Sequence, residues 1–307
     1  MERKTTLQIK LRRLLTLLLV LTIAISLVSC VPSPKKQKEK AIGFITEKLD
    51  AATDITLDEG WAVFAVKKAG QDIPKEQREA YRDSCRAMAK TEKGIMSDDP
   101  DRLTSNASAS IILNALNMDY RNVEGYDLIK PLKDTASLER QGANAYVYAM
   151  IAYNSLNRKQ NNEQEIKEKL MADMSIDSAV LKGNKAEVDY RAMGIQGLSY
   201  YKDEEAVSEI IDENLKFLES KQKKDGGYGN CESTAQVIIA LTMLGKDPAK
   251  CKGFIKDGST LIDGLMVYAN GGGFAHTEDG DKDMMATTQA LMALDAVDLQ
   301  REGRPLF

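Results

Sequence analysis

The 307-residue chain predicts an all-α fold of about twelve helices in six pairs. Three observations carry that expectation. From Lys40 onward apolar residues recur with the helical period, and no stretch alternates convincingly as a strand would. A small-apolar pair returns near the end of alternate helices: Ala65-Val66, Ala115-Leu116, Ala152-Tyr153, Gly197-Leu198, Ala240-Leu241 and Ala293-Leu294. Their spacing, roughly 37 to 53 residues, is the scale of a two-helix unit. The helices between them carry Lys and Glu on one face, as an outer layer should. Twelve helices in alternating layers form an (α/α)6 toroid if the ring closes and an open solenoid if it does not.

The N-terminus lies outside this pattern. Arg3, Lys4, Lys10, Arg12 and Arg13 form a basic region before the uncharged apolar run from Leu14 to Leu27. Leu27-Val28-Ser29-Cys30 resembles the lipobox of bacterial lipoproteins. Residues 1–29 are thus expected as a signal peptide, with Cys30 lipidated and first in the mature chain. The run is short for a spanning helix. Loss of residues 1–29 removes five basic residues and one acidic one from a chain already at −4. So acidic a protein, basic only at Lys35-Lys36 and Lys38-Lys40, is a poor partner for nucleic acid. Residues 30–40, with Pro32 and Pro34, read as an exposed tether, 41–300 as the helical domain and 301–307 as a tail.

Within the domain, the flanking helices are expected near 38–50, 75–92, 124–133, 161–173, 204–221 and 258–269. Ala69-Gly70 and Leu244-Gly245 supply glycine stops, each followed by a proline that prevents continuation. Residues 215–244 show the pattern most fully. One helix ends near Lys224, Asp225-Gly226-Gly227 turns, Tyr228 follows, and a second helix opens near Ser233-Thr234 and runs to Leu244.

Gln222 with Gly226-Gly227-Tyr228 resembles the repeat shared by terpenoid cyclases, protein prenyltransferase β subunits and cobalamin-carrier toroids, with Tyr in place of the usual Trp. Asp58-Glu59-Gly60-Trp61, Tyr126-Asp127-Leu128-Ile129 and Gln141-Gly142-Ala143-Asn144 are similar to elements of bacterial surface toroids related to the carriers. The resemblance covers about 40–300 and favours a closed ring. In the carriers a small β domain accompanies the toroid. None is found within these residues, so a cobalamin-type role would need a separate chain to supply it.

The catalytic sets that the resemblance implies are incomplete. The cyclase Asp-x-Asp-Asp corresponds to Asp281-Lys282-Asp283-Met284, where Met stands last, and Glu187-Val188-Asp189-Tyr190 is a similar fragment. Asp189 and Asp283 therefore read as helix caps, and a cyclase would have Asp283 as its acid. One Trp and few Phe make a thin lining for a carbocation. Of the prenyltransferase zinc ligands only Cys231 has a counterpart, because Gly229 and Ala286 occupy the other places, and one ligand cannot hold zinc. Glu278, Asp279, Asp281 and Asp283 lack the EF-hand glycine and distal glutamate and read as a solvated loop. No cofactor is expected. Cys231 and Cys251 flank one helix and stand too far apart for a disulfide. What remains is a ring end lined by loops and helix starts, with Trp61, Asn106, Asn144, Tyr146, Asp189, Tyr190, Tyr228, Glu232, Gln236, Phe274, His276 and Asp283 as candidate ligand contacts. The expectation is a non-catalytic, lipid-anchored protein outside the cytoplasmic membrane that binds a small molecule, an extracellular protein or a peptide.

Overall fold

The computed structural model describes residues 33–307; residues 1–29, expected as a signal peptide, and Cys30 lie outside them. Twelve α-helices follow in order: α1 (Pro34–Ala51), α2 (Gly60–Lys68), α3 (Lys75–Thr91), α4 (Thr104–Ala115), α5 (Thr135–Gln141), α6 (Ala143–Ser155), α7 (Glu163–Asp173), α8 (Glu187–Leu198), α9 (Glu205–Lys221), α10 (Cys231–Met243), α11 (Leu261–Met266) and α12 (Met284–Arg301). The all-α class holds apart from one small antiparallel sheet of β1 (Ala269–Asn270), β2 (Gly273–Ala275) and β3 (Lys282–Asp283), paired in the order β1-β2-β3. Among the described residues no helix is long and apolar enough to cross a membrane.

The helices fall into two sets by burial. Helices α2, α4, α6, α8, α10 and α12 are buried nearly all round. The long flanking helices bury one stripe: Gln37, Ala41, Ile45 and Leu49 on α1, and Gln77, Tyr81, Cys85 and Ala89 on α3. A stripe repeating every four residues packs one face and leaves the other to water. Within the deeply buried set each helix packs on the next, and α12 packs on α2 as well as α10.

Five of these buried helices end alike. Gly70, Asn117, Asn157, Gly245 and Gly303 take φ of 82°, 58°, 50°, 79° and 71°. The next residue then donates its N–H back into the helix, from Gln71, Met118, Arg158, Lys246 and Arg304 to Val66, Leu113, Tyr153, Leu241 and Leu299. This is the Schellman stop, which satisfies carbonyls that a helix end leaves open.

The structure corrects several boundaries. Residues 34–40 are the first turns of α1, not a tether: Ser33 caps the helix and Pro34 opens it without losing a needed donor. Residues 124–133 hold no α-helix. Glu124 and Gly125, at φ 52° and 87°, make a tight hairpin between Val123 and Tyr126; a 3-10 turn follows at Lys130–Lys133, and then α5. Asp257 and Gly258, at φ 49° and 91°, do the same between Lys256 and Ser259, which shortens the helix expected over 258–269 to α11. Two consecutive positive φ values close a hairpin and exclude a helix. Nor is 301–307 a free tail. After Gly303 the chain turns back, Leu306 is buried, and the Phe307 ring stands 5.9 Å from Phe64 and 6.3 Å from Trp61.

Polar contacts tie the first helix to β2 and to the last helix. Gln37 Nε2 donates to the Gly273 carbonyl at 2.6 Å, and Lys38 Nζ lies 2.8 Å from Asp295 and 2.6 Å from Asp298. Burial pushes the Asp295 carboxyl up to about 7, although Lys38 and Lys68 pull it down. A carboxyl raised in the folded state favours folding fully below about pH 4 and loses that contribution as the pH rises through about 7. The melting temperature of the native chain should therefore fall relative to Asp295→Asn between those limits. Parallel curves would contradict this.

The Gly226-Gly227 turn shows a second constraint. A Cβ on Gly226 (φ +89°) would lie 2.1 Å from the Thr260 carbonyl oxygen, whereas one on Gly125 (φ +87°) would meet nothing. Both Gly→Ala changes carry backbone strain of about 1–3 kcal/mol. Only Gly226→Ala must also push backbone aside, so denaturant unfolding should show it to be the more damaging of the two.

Candidate functional site

A cavity of about 450 Å³ lies between α2, α6, α8, α10 and α12. Its volume is in the range of small-molecule sites. The wall is mostly apolar, with Trp61, Tyr148, Ile239, Met193, Met292 and Phe307 on it. Methionines adapt their shape to what they touch, and this wall has four, Met284 and Met285 standing nearer the start of α12. Trp61 meets Phe64 edge-on at 5.4 Å and Tyr148 at 6.0 Å. A side lobe of about 290 Å³ shares Asp58, Trp61, Arg102 and Tyr148 with the main cavity and reaches Asn144, whose Oδ1 is buried without a partner.

Besides the charged Asp58, Glu59 and Arg102, one polar line crosses this mostly apolar wall. Gln196 Nε2 on α8 donates to Gln236 Oε1 on α10 at 2.8 Å, and Gln236 Nε2 donates to Gln289 Oε1 on α12 at 3.0 Å. Three amides in series fix one another's orientation and leave Gln289 Nε2 as a donor at the end of the row.

The starts of α10 and α12 are built alike, and this aligns two of the three amides. Asn230 caps α10 by accepting from Ser233 N–H at 2.7 Å, and Asp283 caps α12 by accepting from Ala286 N–H at 2.8 Å. Four residues after each cap, Thr234 and Thr287 accept the N–H of the preceding loop aromatic, Tyr228 at 3.1 Å and Phe274 at 2.9 Å. Six residues after each cap come Gln236 and Gln289. The two Gly-Gly-aromatic turns thus clamp two helix starts in the same register.

The residues singled out in the sequence divide accordingly. Trp61 and Gln236 line the cavity, and Asn144 lines its side lobe. At the start of α10, Glu232 Oε2 lies 2.7 Å from His276 Nδ1. Asp189, near Ser233 and His276, is not a cap: α8 begins at Glu187, so Asp189 sits inside the first turn. Its Oδ1 is buried without a partner, and burial raises its carboxyl. Tyr190 is half-buried beside it. The others hold the fold. Tyr228 Oη donates to the Leu218 carbonyl at 2.9 Å; Phe274 is fully buried; Tyr146 is buried with its hydroxyl pushed up to about 12 by burial. Buried Asn106 accepts from Met96 N–H and donates to the Gly94 and Leu128 carbonyls. Glu278, Asp279 and Asp281 are exposed.

Sequence reasoning missed Tyr148, Gln196, Gln289, the methionines and Phe307. The available signal was the i, i+3, i+4, i+7 spacing of Met285, Thr288, Gln289 and Met292, which puts them on one face of α12.

Among the described residues no group of three or more His, Cys, Asp or Glu could hold a metal ion. Cys231 is buried at the start of α10, its Sγ 3.6 Å from the Ala286 carbonyl oxygen. Cys85, Cys231 and Cys251 are free, and burial raises all three thiols, that of Cys85 to about 12. Thiolate is the reactive form, so an aromatic disulfide reagent at neutral pH should label half-buried Cys251 first and reach Cys85 and Cys231 only on unfolding. Rapid native labelling of Cys231 would contradict this placement. No protein-family model, curated protein or solved structure matches the chain.

Proposed function

We propose that the six deeply buried helices close into an (α/α)6 toroid and that its central cavity binds an apolar or amphipathic small molecule without transforming it. The observation that carries the reading is the cavity itself, an apolar chamber drawn from five of those helices and crossed by the Gln196–Gln236–Gln289 row. The return of α12 to α2 supports closure. Apolar walls supply affinity, and a few oriented polar groups fix the pose. Asp283, the acid a cyclase would need, spends an oxygen on the Ala286 N–H, which favours binding over proton transfer. Display outside the cytoplasmic membrane through a lipid on Cys30 belongs to the same proposal.

Trp61 is the only tryptophan of the chain and lies on the cavity wall. Its emission therefore reports occupancy directly. Titration with decanol or geranylgeraniol should give a saturable change in Trp61 emission and a rise in melting temperature by mass action. Cobalamin, which the carriers hold between two domains, should give neither. No saturable change with any apolar compound would overturn the reading, and a cobalamin response would replace it with a carrier role.

A further inference from the structure

A second feature lies outside the cavity. Helix α3 presents Lys75, Arg78, Arg82 and Arg86 to an open groove of about 750 Å³, whose other wall is the loop 116–125. Spacings of three and four residues keep these cations on one side of the helix. The carboxylates of the groove are already engaged. Glu79 pairs with Arg82, Glu124 accepts from Arg86 at 2.6 Å, and Asp119 accepts from Arg121 at 2.8 Å. Among the described residues Arg78 has no ion pair, and the Nε–H groups of Arg78 and Arg82 are both buried without an acceptor. A buried donor left unmatched costs stability, more so on a charged group. Carboxylate oxygens are the acceptors that a guanidinium fork fits best.

The spacing narrows the occupant. Arg78 and Arg82 are one turn apart, about 6 Å along the helix. Alternate residues of an extended chain are about 6.6 Å apart and project to the same side. From Lys75 to Arg86 the wall runs about 16 Å, room for about five extended residues. We propose that this groove binds an extended acidic peptide segment, with carboxylates at alternate positions paired to Arg78 and Arg82.

The test is fluorescence anisotropy of a labelled hexapeptide of alternating alanine and glutamate, titrated with the full-length chain in mild detergent at low salt. Saturable binding that weakens as salt approaches about 0.2 M is expected, because partly exposed ion pairs are screened. Arg78→Gln and Arg82→Gln should each weaken it about tenfold, the worth of one charge-assisted hydrogen bond. Lys90→Gln, on the same helix outside the groove, should leave it unchanged. On the unaltered protein, a peptide of the same composition with its glutamates consecutive should bind more weakly, which keeps the test valid should a variant fold poorly. Absence of binding, equal binding by the Arg variants, or equal binding of the two peptides would overturn the proposal. So would displacement by equimolar inorganic phosphate, which would mark a simple oxyanion site.

Discussion

Helix ends that turn back into a protein interior leave carbonyls and amides that water cannot reach, and everything in this fold depends on how those groups are matched. Five of the deeply buried helices solve the problem at their C-termini with one left-handed residue. Elsewhere buried side-chain amides do it. Asn106 takes the Gly94 and Leu128 carbonyls, Asn162 the Leu132 carbonyl, Asn214 those of Met174 and Ile210, and Gln222 those of Gly226 and Phe254. Each binds a connecting loop to a helix. Arg191 extends the scheme to a charge: fully buried, it donates to Glu187 and to Asn214 and lies 4.6 Å over the Phe217 ring. Removing one partner of such a set strands the rest, so these residues specify the loops as firmly as the apolar core specifies the helices.

That division of labour makes the cavity possible. Asn106 and residues on or beside the flanking helices satisfy the loop carbonyls, which leaves faces of α2, α6, α8, α10 and α12 to line a chamber. The Thr234 and Thr287 clamps then set the register of α10 and α12, and register decides where Gln236 and Gln289 arrive. A shift of one residue would turn each amide by about 100° around its helix and break the row. The chain beyond α12 adds the final piece, because Gly303 turns it back and Phe307, stacked on Phe64, joins Trp61 in the wall.

Much of the fold was legible because buried helices announce themselves by small and apolar residues. Gly70 and Gly245 marked their helix ends openly. Asn117 and Asn157 perform the same stop with a residue that sequence does not flag as strongly, which hid the regularity of the repeat. The expected helices over 124–133 and 258–269 run into the hairpins at Glu124-Gly125 and Asp257-Gly258, although apolar residues follow, Tyr126, Leu128 and Ile129 in one case and Leu261 and Ile262 in the other. Acidic-glycine pairs are turn signals and outweigh that periodicity. The site was less legible for a different reason. Aromatic residues beside glycine turns, such as Tyr228 and Phe274, look like ligand contacts but are consumed by packing. The chamber is lined by glutamines and methionines whose juxtaposition depends on contacts across five helices. Phe307 could be placed only by knowing where the chain returns.

The central claim is that the chamber between these helices receives an apolar guest. The most direct measurement is a crystal structure of the chain grown with a brominated decanol, read through the anomalous signal of bromine. The account places the bromine peak between Trp61 and the Gln196–Gln236–Gln289 row. Well-ordered crystals with bromine only on the outer surface, or with the chamber filled by repacked side chains, would contradict it.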